Sequence, residues 1–301
     1  MTVNRSSKRI ILWIMKRYLH FLPDGLYLKI RYRITMNKKL DFETPKTFNE
    51  KLQWLKMHDR KDIYTTMVDK YEAKKYVTTV IGKKYIIPTL GVYDRFDDID
   101  FDKLPNQFVI KCTHDSGGLL VCQDKSKLDK RVAKKRINKS LKLNYYYAGR
   151  EWPYKNVKPR IIIEKYMVDE SGYELKDYKF FCFNGKVKLF KIDFNRATRH
   201  RANYFDKSGK LLMFGEQVCP PDYNKTLSMP HNLTKMIKLA EKLSNSLPFL
   251  RVDFYEIGKQ VLFGELTFYP NSGNGKFVPE KWDRILGNYI NLDLVKSEAE
   301  P

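Results

Sequence analysis

Residues 250–275, LRVDFYEIGKQVLFGELTFYPNSGNG, carry the pattern that decides the fold and the candidate chemistry. The pattern predicts two strands, with Arg251 and Asp253 on the first and Glu265 and Thr267 on the second. Successive side chains of a strand point to opposite faces, so residues two apart share a face. Two carboxylates on neighbouring strands suit Mg2+, which prefers oxygen ligands. The same residues would also fit the solvent-facing side of a hairpin, and the segment alone leaves both interpretations open.

A second informative segment lies upstream. QFVIKC (107–112) predicts a short buried strand, THDSGG (113–118) a polar turn, and LLVCQ (119–123) a returning strand. Glycines let backbone N–H groups come close to a phosphate, and Lys111 would supply a cation beside them. The segment lacks the Gly-Lys-Ser/Thr sequence of a P-loop. A phosphate flap and a plain hairpin turn both remain open.

The remaining pattern adds further strands and a helix. RIIIEKYM (160–167) predicts a strand that runs into a connector, and DYKFFCFNGKVKLFKID (177–193) predicts two strands around an Asn-Gly turn. A helix is predicted from Ile63 to Ile81, where Lys70 and Lys74 would share a face. Lysine pairs on a helix are usually solvated, so this pair alone does not indicate a site.

The charge of the chain is unevenly distributed. Its 301 residues carry a formal net charge of +22, with 57 Lys and Arg against 35 Asp and Glu. Residues 1–39 hold ten basic residues against Asp24, and residues 125–142 hold nine against Asp129, so these segments contribute +9 and +8. The remaining 244 residues contribute +5. The basicity therefore indicates an anionic partner for two segments and argues against nucleic-acid binding by the whole chain.

The N-terminal segment KRIILWIMKRYLHFL (8–22) has the pattern of an amphipathic helix, which Pro-Asp-Gly at 23–25 would end. Its predicted apolar side consists of Ile11, Ile14, Met15, Tyr18 and Leu22. One interpretation is an interfacial helix that inserts Trp13 among anionic lipid headgroups, so that residues 1–24 tether the protein to the cytoplasmic face of the membrane. The other is a helix that packs this side against the body of the protein.

The cysteines and the hydropathy predict a cytoplasmic protein. Cys112, Cys122, Cys182 and Cys219 form no C-x-x-C pair and have no His at metal-ligand spacing, which favours reduced thiols. The longest apolar run near the N-terminus, Ile10–Met15, is too short to span a membrane. It predicts neither a transmembrane helix nor a secretion signal.

The order of these motifs resembles the ATP-grasp superfamily, typified by the D-alanine:D-alanine ligases. Within it, the chain most resembles the TupA-like ATP-grasp proteins of teichuronopeptide and capsular polysaccharide loci. The resemblance covers roughly residues 45–280. It is carried by FNEKLQW (48–54), DK (69–70), NQFVIKCTHDSGG (106–118), GREWPYKNVKPRIIIEKY (149–166), DYKFFCFNG (177–185), RVD (251–253) and GELTFYP (264–270).

The resemblance implies an α+β fold in which the nucleotide is held between two α+β subdomains with antiparallel sheets. The implied domains are a basic helical N-terminal arm (1–39), an N-terminal subdomain (40–104), a small subdomain with the phosphate flap (105–165) and a large subdomain with the metal site (166–301).

The resemblance also implies a role for each candidate residue. Lys70, Lys111, Gly117 and Gly118 would contact the phosphates of ATP. The Glu164–Met167 connector would clamp adenine with backbone groups of Lys165 and Met167, and Asp177 would bind the ribose hydroxyls. Asp253, Glu265 and Thr267 would bind Mg2+, and Arg251 and Lys179 are the candidate catalytic residues.

One position departs from the family pattern. The second metal motif of these ligases usually reads Glu-x-Asn, whereas this chain has Glu265-Leu266-Thr267. A threonine hydroxyl is a weaker ligand than an amide oxygen, so the number of Mg2+ ions stays open. Asn271 would substitute only if its loop folded back.

The implied reaction joins a carboxylate to an amine through an acylphosphate, with an amino acid or peptide and a sugar acid of a bacterial surface polysaccharide as substrates. The aromatic and basic segment 145–155 would stack on sugar rings, or it would be a packed connector. Two alternatives are a glycosyltransferase of the same loci, for which Asp98-Ile99-Asp100 is a poor metal motif, and a nucleic-acid-binding module using residues 125–142, which lack interleaved aromatics.

Overall fold

Helices and antiparallel sheets are mixed along the chain, which confirms the predicted α+β class. The computed structural model describes residues 5–169, 171–172, 175–196 and 198–296. Its helices are α1 (Arg5–Tyr18), α2 (Asp24–Met36), α3 (Phe48–His58), α4 (Ile63–Val68), α5 (Glu72–Ile81), α6 (Lys130–Leu141), α7 (Tyr146–Gly149), α8 (Leu233–Leu243), α9 (Lys281–Tyr289) and α10 (Asp293–Lys296). Its strands are β1 (Thr89–Tyr93), β2 (Phe108–Cys112), β3 (Leu119–Cys122), β4 (Ile161–Lys165), β5 (Asp177–Phe183), β6 (Lys186–Phe194), β7 (Arg201–Asp206), β8 (Leu211–Leu212), β9 (Gly215–Glu216), β10 (Phe249–Ile257), β11 (Gln260–Thr267) and β12 (Phe277–Val278). The first four residues of the predicted arm and the last five of the predicted large subdomain lie outside the described residues.

The smaller of the two main sheets has the strand order β1-β4-β2-β3, with antiparallel neighbours throughout. Alternation along β2 places Phe108 and Ile110 in a core that also contains Ile163 of β4 and Ile137 of α6. Lys111 lies between two buried positions of β2 and therefore points to the opposite face. The basic helix α6 thus has one packed side and one solvated side.

The larger sheet has the order β11-β10-β5-β6-β7-β8 and is also antiparallel. Phe180 and Phe254 share one face of it and belong to the same core as Met236 of α8. The alternate positions, such as Lys179 and Asp253, lie on the other face. Because both faces are covered, every residue of β5 is buried, including the charged ones.

The helix predicted over residues 63–81 is interrupted. Asp69 accepts hydrogen bonds from the backbone N–H groups of Tyr71 (2.8 Å) and Glu72 (3.1 Å), which starts α5 anew. The N–H of Lys70 donates to the carbonyl of Thr113 (3.0 Å), outside any helix. The prediction that Lys70 and Lys74 share a helical face is therefore wrong, because an Asp side chain competes with the helical hydrogen bonds at this point.

The predicted N-terminal arm consists of two helices with different environments. Helix α1 ends at Tyr18, four residues before the predicted end. Helix α2 packs Tyr27, Leu28 and Tyr32 into the protein, each with 1% exposure or less. None of the helices among the described residues is long and apolar enough to cross a membrane.

The segment 145–155 is largely a packed connector. The guanidinium of Arg150 is buried and donates to the carbonyls of Leu19 (3.2 Å), His20 (3.1 Å) and Leu22 (3.3 Å). Tyr146 is also buried, and its hydroxyl donates to Asp24 (2.5 Å). These side chains hold the link between α1 and α2 and are unavailable for stacking on a sugar.

Candidate active site

A cavity lies between the two main sheets, and a large part of the predicted site lines it. The predicted residues in this lining are Lys70, Lys111, Gly118, Glu164, Asp177, Lys179 and Glu265. Gly117, Lys165, Met167, Arg251, Asp253 and Thr267 lie outside the lining. One side of the cavity is apolar and is formed by Val68, Ala73, Ile87, Phe263 and Leu266.

A row of polar side chains crosses the face of the larger sheet that turns toward the cavity. In the strand register, Asp253 lies opposite Glu265 on one side and opposite Lys179 on the other. Lys179 lies opposite Lys191, which lies opposite Tyr204. Directly opposed side chains of antiparallel strands are in contact range. The row therefore places two acids, on β11 and β10, next to two amines, on β5 and β6.

Arg251 forms a bidentate pair with Asp253 of this row. The Arg251 Nε donates to Asp253 Oδ1 (2.7 Å), and one Nη donates both to Asp253 Oδ2 (2.8 Å) and to Glu265 Oε1 (2.7 Å). Burial lowers the pKa of Arg251, but the carboxylates of Asp253 and Glu265 outweigh burial and raise it. Burial raises the pKa of Asp253, but Arg251 and Lys179 outweigh burial and lower it. Both groups are therefore charged at neutral pH.

Lys179 connects this pair to the carboxylate of Asp177. Its Nζ donates to Asp253 Oδ2 (2.6 Å) and lies 3.4 Å from Asp177 Oδ2. Burial lowers the pKa of Lys179, but Asp177 and Asp253 outweigh burial and raise it. Arg196 pairs with Asp177 from the loop after β6, and this pairing raises the pKa of Arg196.

Glu164 faces two lysines on the opposite wall of the cavity. Its carboxylate pairs with Lys111 Nζ (2.6 Å) and with Lys74. Burial raises the pKa of Glu164, but the two lysines outweigh burial and lower it. The side chain expected at the start of an adenine connector is therefore the counter-ion of the lysine expected at the phosphates.

The turn after β2 is held by Asp115 and contacts Lys70. Asp115 accepts the backbone N–H of Gly118 (3.0 Å) and the hydroxyl of Ser140, and its backbone carbonyl accepts from the Lys70 ammonium. Burial lowers the pKa of Lys70, while the charges of Glu265 and Asp115 oppose this effect. Lys70 thus reaches the flap although it is not on a helix.

The predicted adenine connector lies beside the cavity. The backbone N–H of Lys165 donates to the carbonyl of Pro88 (3.0 Å), so this donor is already used within the protein. The Lys165 side chain is exposed, and Met167 is half-buried. The adenine-binding role of both residues stays a prediction.

The predicted metal ligands have the chemistry of a Mg2+ site. Asp253 and Glu265 are opposite each other in register, and the hydroxyl of Thr267 lies 3.5 Å from Glu265 Oε1. Carboxylate and hydroxyl oxygens are hard ligands. Asp253 Oδ2 already accepts from both Arg251 and Lys179, whereas Asp253 Oδ1 accepts from Arg251 and keeps a second lone pair. Asp253 is fully buried, whereas the Glu265 side chain is 47% exposed. The donor types suit a cation, with Glu265 as the accessible ligand, and the metal-binding role of these residues stays a prediction.

A second group of metal-ligand types occurs beside the row, at Asp193, His200 and Cys219. Asp193 is already opposed by Lys191 (3.7 Å) and Lys179 (3.9 Å). Burial raises the pKa of the Cys219 thiol to about 11, which keeps it protonated. Asp193 therefore already has two cationic neighbours, and Cys219 is a neutral thiol.

Several cavity residues were missed by sequence reasoning. Arg196 and Asp115 line the cavity from loops, where no periodic pattern indicates orientation, and Tyr154 of the aromatic segment 145–155 also lines it. Lys191, which belongs to the polar row and lies outside the cavity lining, carries a signal in the sequence: it stands two residues before Asp193 in the buried part of β6, residues 189–194. Charges two apart in a buried strand indicate a polar face.

Two antiparallel sheets enclose a cavity lined by lysines, carboxylates and Arg196, which is the arrangement expected of an ATP-grasp enzyme, a class of ATP-dependent ligases. The particular family follows from a direct match. The profile described as TupA-like ATPgrasp matches residues 50–291. The chain therefore belongs to the TupA-like ATP-grasp family.

Solved structures with a similar arrangement are distant. They include D-alanine–D-alanine ligase from Bacillus anthracis complexed with ATP, at 16% identity and a TM-score of 0.46, over 78% of this chain and 69% of that chain. N5-carboxyaminoimidazole ribonucleotide synthetase from Thermus thermophilus matches at 12% identity and a TM-score of 0.36, over 67% of this chain and 45% of that chain. A RimK domain ATP-grasp protein from Sphaerobacter thermophilus matches at 9% identity and a TM-score of 0.41, over 75% of this chain and 69% of that chain. No curated protein matches the chain.

Proposed function

We propose that this enzyme is an ATP-dependent carboxylate–amine ligase that works through an acylphosphate. A substrate carboxylate attacks the γ phosphorus of ATP, the bond to the β–γ bridging oxygen breaks, and ADP leaves. The amine then attacks the acyl carbon, the bond to the phosphate oxygen breaks, and the amine releases a proton. Positioning and charge stabilisation suffice for both steps, without a covalent intermediate on the enzyme.

The observation that carries the proposal is the placement of cations on both walls of one cavity. Lys70 and Lys111 line it on the side of the flap, and Lys179 lines it on the large sheet. Arg251 lies next to Lys179 through their shared partner Asp253. A polyphosphate and a developing acylphosphate need positive charge on both sides.

We assign the nucleotide to this cavity as follows. The triphosphate contacts Lys70 and Lys111 and displaces their internal partners, the Asp115 carbonyl and the Glu164 carboxylate. Gly117 and Gly118 close over the phosphates. These exchanges replace one charge-assisted contact by another, so the lysines keep a partner in the free and bound states.

The base and the ribose extend from the phosphates in this assignment. The apolar side of the cavity, which includes Ile87, Phe263 and Leu266, is suited to an adenine ring. Asp177 lies on the cavity surface and is suited to accept the ribose hydroxyls. The adenine edge would use backbone groups of Lys165 and Met167.

Mg2+ would be held by Asp253 and Glu265, with Thr267 as a weaker neighbour. The ion supplies a positive charge that neutralises phosphate oxygens. Arg251 and Lys179 supply positive charge that is already oriented by Asp253, so little reorganisation is needed when negative charge develops on the transferred phosphoryl group.

The proposed substrates are a sugar acid of a surface polysaccharide and the amine of an amino acid or peptide, as the TupA-like resemblance implies. The glycosyltransferase alternative lacks support at its candidate metal motif. Asp98 pairs with Arg95 (2.9 Å) and Asp100 with Lys103 (3.0 Å), both at exposed side chains outside the cavity. The predicted contact with a membrane surface concerns α1, which also lies outside the cavity.

The experiment is a trapping assay with purified enzyme and MgATP. ADP and phosphate release are measured across uronic acids and amino acids, each omitted in turn as a control. Hydroxylamine is expected to replace the amine and yield a hydroxamate, because it intercepts activated acyl groups. Sugar transfer from a nucleotide sugar without ATP, together with the absence of hydroxamate in all combinations, would overturn the proposal.

A further inference from the structure

Helix α1 has an apolar face that points to solvent. Ile10, Trp13 and Ile14 are 58%, 59% and 41% exposed, and Tyr18 is 59% exposed. These positions are spaced i, i+3, i+4 and i+8, so they lie on one side of the helix. Phe21, just after the helix, is 77% exposed. Such a cluster of large exposed apolar side chains indicates a binding surface.

The exposed apolar face of α1 is not the side through which the helix packs on the rest of the protein. Met15, on the opposite side of α1, is already buried with 1% exposure. Arg150 holds the carbonyls that follow the helix, and the His20 ring stacks on Tyr147 with centroids 4.1 Å apart. The helix is therefore docked through one side, and the exposed side faces outward. Of the predicted apolar side, only Met15 belongs to the docked face.

Positive charge borders the exposed face on one flank and at its C-terminal end. Arg17 stands between Ile14 and Tyr18 along it, and Arg9 and Lys16 lie on its flank. Asp24, the one acid among residues 1–39, is paired with Arg60 (2.8 Å) and accepts from Tyr146. The basic side chains of α1 thus lack an acidic neighbour within their own segment.

We propose that this face of α1 binds the interface of an anionic lipid bilayer. Apolar and basic side chains lie side by side on one narrow helix, so a protein partner would have to desolvate the basic groups together with the apolar ones. At a bilayer, the isoleucines enter the acyl boundary, Trp13 and Tyr18 lie at headgroup level, and the basic groups reach lipid phosphates. The docked side keeps the body at a fixed position on the membrane.

The first test is sedimentation of the full-length protein with vesicles of phosphatidylcholine alone or with phosphatidylglycerol. Strong binding is expected for the anionic vesicles only. The variant Ile10→Ser/Trp13→Ser/Ile14→Ser is expected to bind at least about tenfold more weakly. The matched control is Met213→Ser/Val218→Ser, which removes apolar side chains that are 61% and 70% exposed elsewhere. Equal binding by the triple variant and the native protein would overturn the proposal.

The second test distinguishes binding through the basic residues of α1 from binding through the overall positive charge of the protein. Arg9→Gln/Lys16→Gln/Arg17→Gln is expected to weaken binding about 100-fold, since each basic residue near an anionic surface contributes about fivefold. Lys135→Gln/Arg136→Gln/Lys139→Gln on α6 removes the same charge and is expected to have a smaller effect. Equal losses would overturn the proposal. The proposal would also be overturned if sedimentation velocity showed a dimer of the native protein and a monomer of the apolar triple variant, because the face would then bind a second copy of the chain. These tests use no ATP and are independent of the ligase reaction.

Discussion

Arg251 is oriented before any substrate arrives. Its guanidinium is held by both oxygens of Asp253 and by Glu265 at 2.7–2.8 Å. Asp253 in turn is held by Lys179. A charge that is fixed in advance avoids reorganisation during the reaction, which is the main source of electrostatic catalysis.

We expect Arg251→Ala to lower turnover by about 10² to 10³-fold, the usual scale for one preorganised charge partner. Lys179 remains to pair with Asp253, so the fold should persist. Steady-state ADP release, with circular dichroism as a folding check, measures this. Arg95→Ala, at an exposed pair with Asp98, is the control and should retain full turnover. Turnover within a fewfold of native for Arg251→Ala would contradict the assigned role.

Glu265→Ala is the better test of the metal site, because the Glu265 side chain is half exposed and Asp253 is fully buried. We expect ATP turnover to be abolished at normal Mg2+ with little change in the free energy of unfolding. Mg2+ titration of ADP release measures the effect. Glu280→Ala, an exposed acid paired with Lys38, is the control. Normal turnover by Glu265→Ala would remove the metal assignment.

At the scale of elements, the flap between β2 and β3 is shaped by close packing of one glycine. A Cβ on Gly118 would lie 2.5 Å from the Cys112 Sγ and 2.7 Å from the Ser140 Oγ. A Cβ on Gly117 would meet nothing closer than 3.6 Å. Adjacent glycines of one turn therefore have different tolerance for a side chain.

We expect Gly118→Ala to displace the flap and to raise the KM for ATP at least about tenfold, since a shift near 1 Å at a positioning group costs up to 10²-fold. Gly117→Ala is the matched control and should change KM less than about twofold. Both are measured by ADP release at varied ATP. Equal KM values for the two variants would show that the flap does not position ATP.

At the scale of the whole molecule, ATP is expected to join the two sheets. Lys111 belongs to the four-stranded sheet and Lys179 to the six-stranded one. A ligand at about 100 times its Kd stabilises the folded state by about 2.7 kcal/mol. MgATP should therefore raise the Tm by several degrees.

The variants Lys111→Ala and Lys179→Ala should each lose most of this rise in Tm, which differential scanning fluorimetry measures. Lys186→Ala, on an exposed lysine of β6, is the control. If Lys111→Ala or Lys179→Ala kept the full rise in Tm with MgATP, the sheet that carries that lysine would not contribute to nucleotide binding.

The strands and their faces follow from the sequence, as β10 and β11 illustrate. Alternation along RVDFYEI and VLFGELT assigns Arg251 and Asp253 to one face, and the structure places them there in direct contact. The hairpin turn at Asn184-Gly185 also follows from the sequence, because the turn type depends on these two residues alone. The break at Asp69 was missed because helical periodicity continues on both sides of it.

The sequence by itself determined the strand hairpins, the side of each strand that carries charge, and the family. Tertiary structure alone decided that Glu164 pairs with Lys74 and Lys111, that Arg196 reaches Asp177, that one face of α2 is buried, and that α1 turns its apolar residues outward. The physical reason is the distance along the chain over which each interaction acts. Periodicity and turn chemistry are set by covalent geometry within a few residues, whereas an ion pair or a docked face depends on which distant segments the fold brings together.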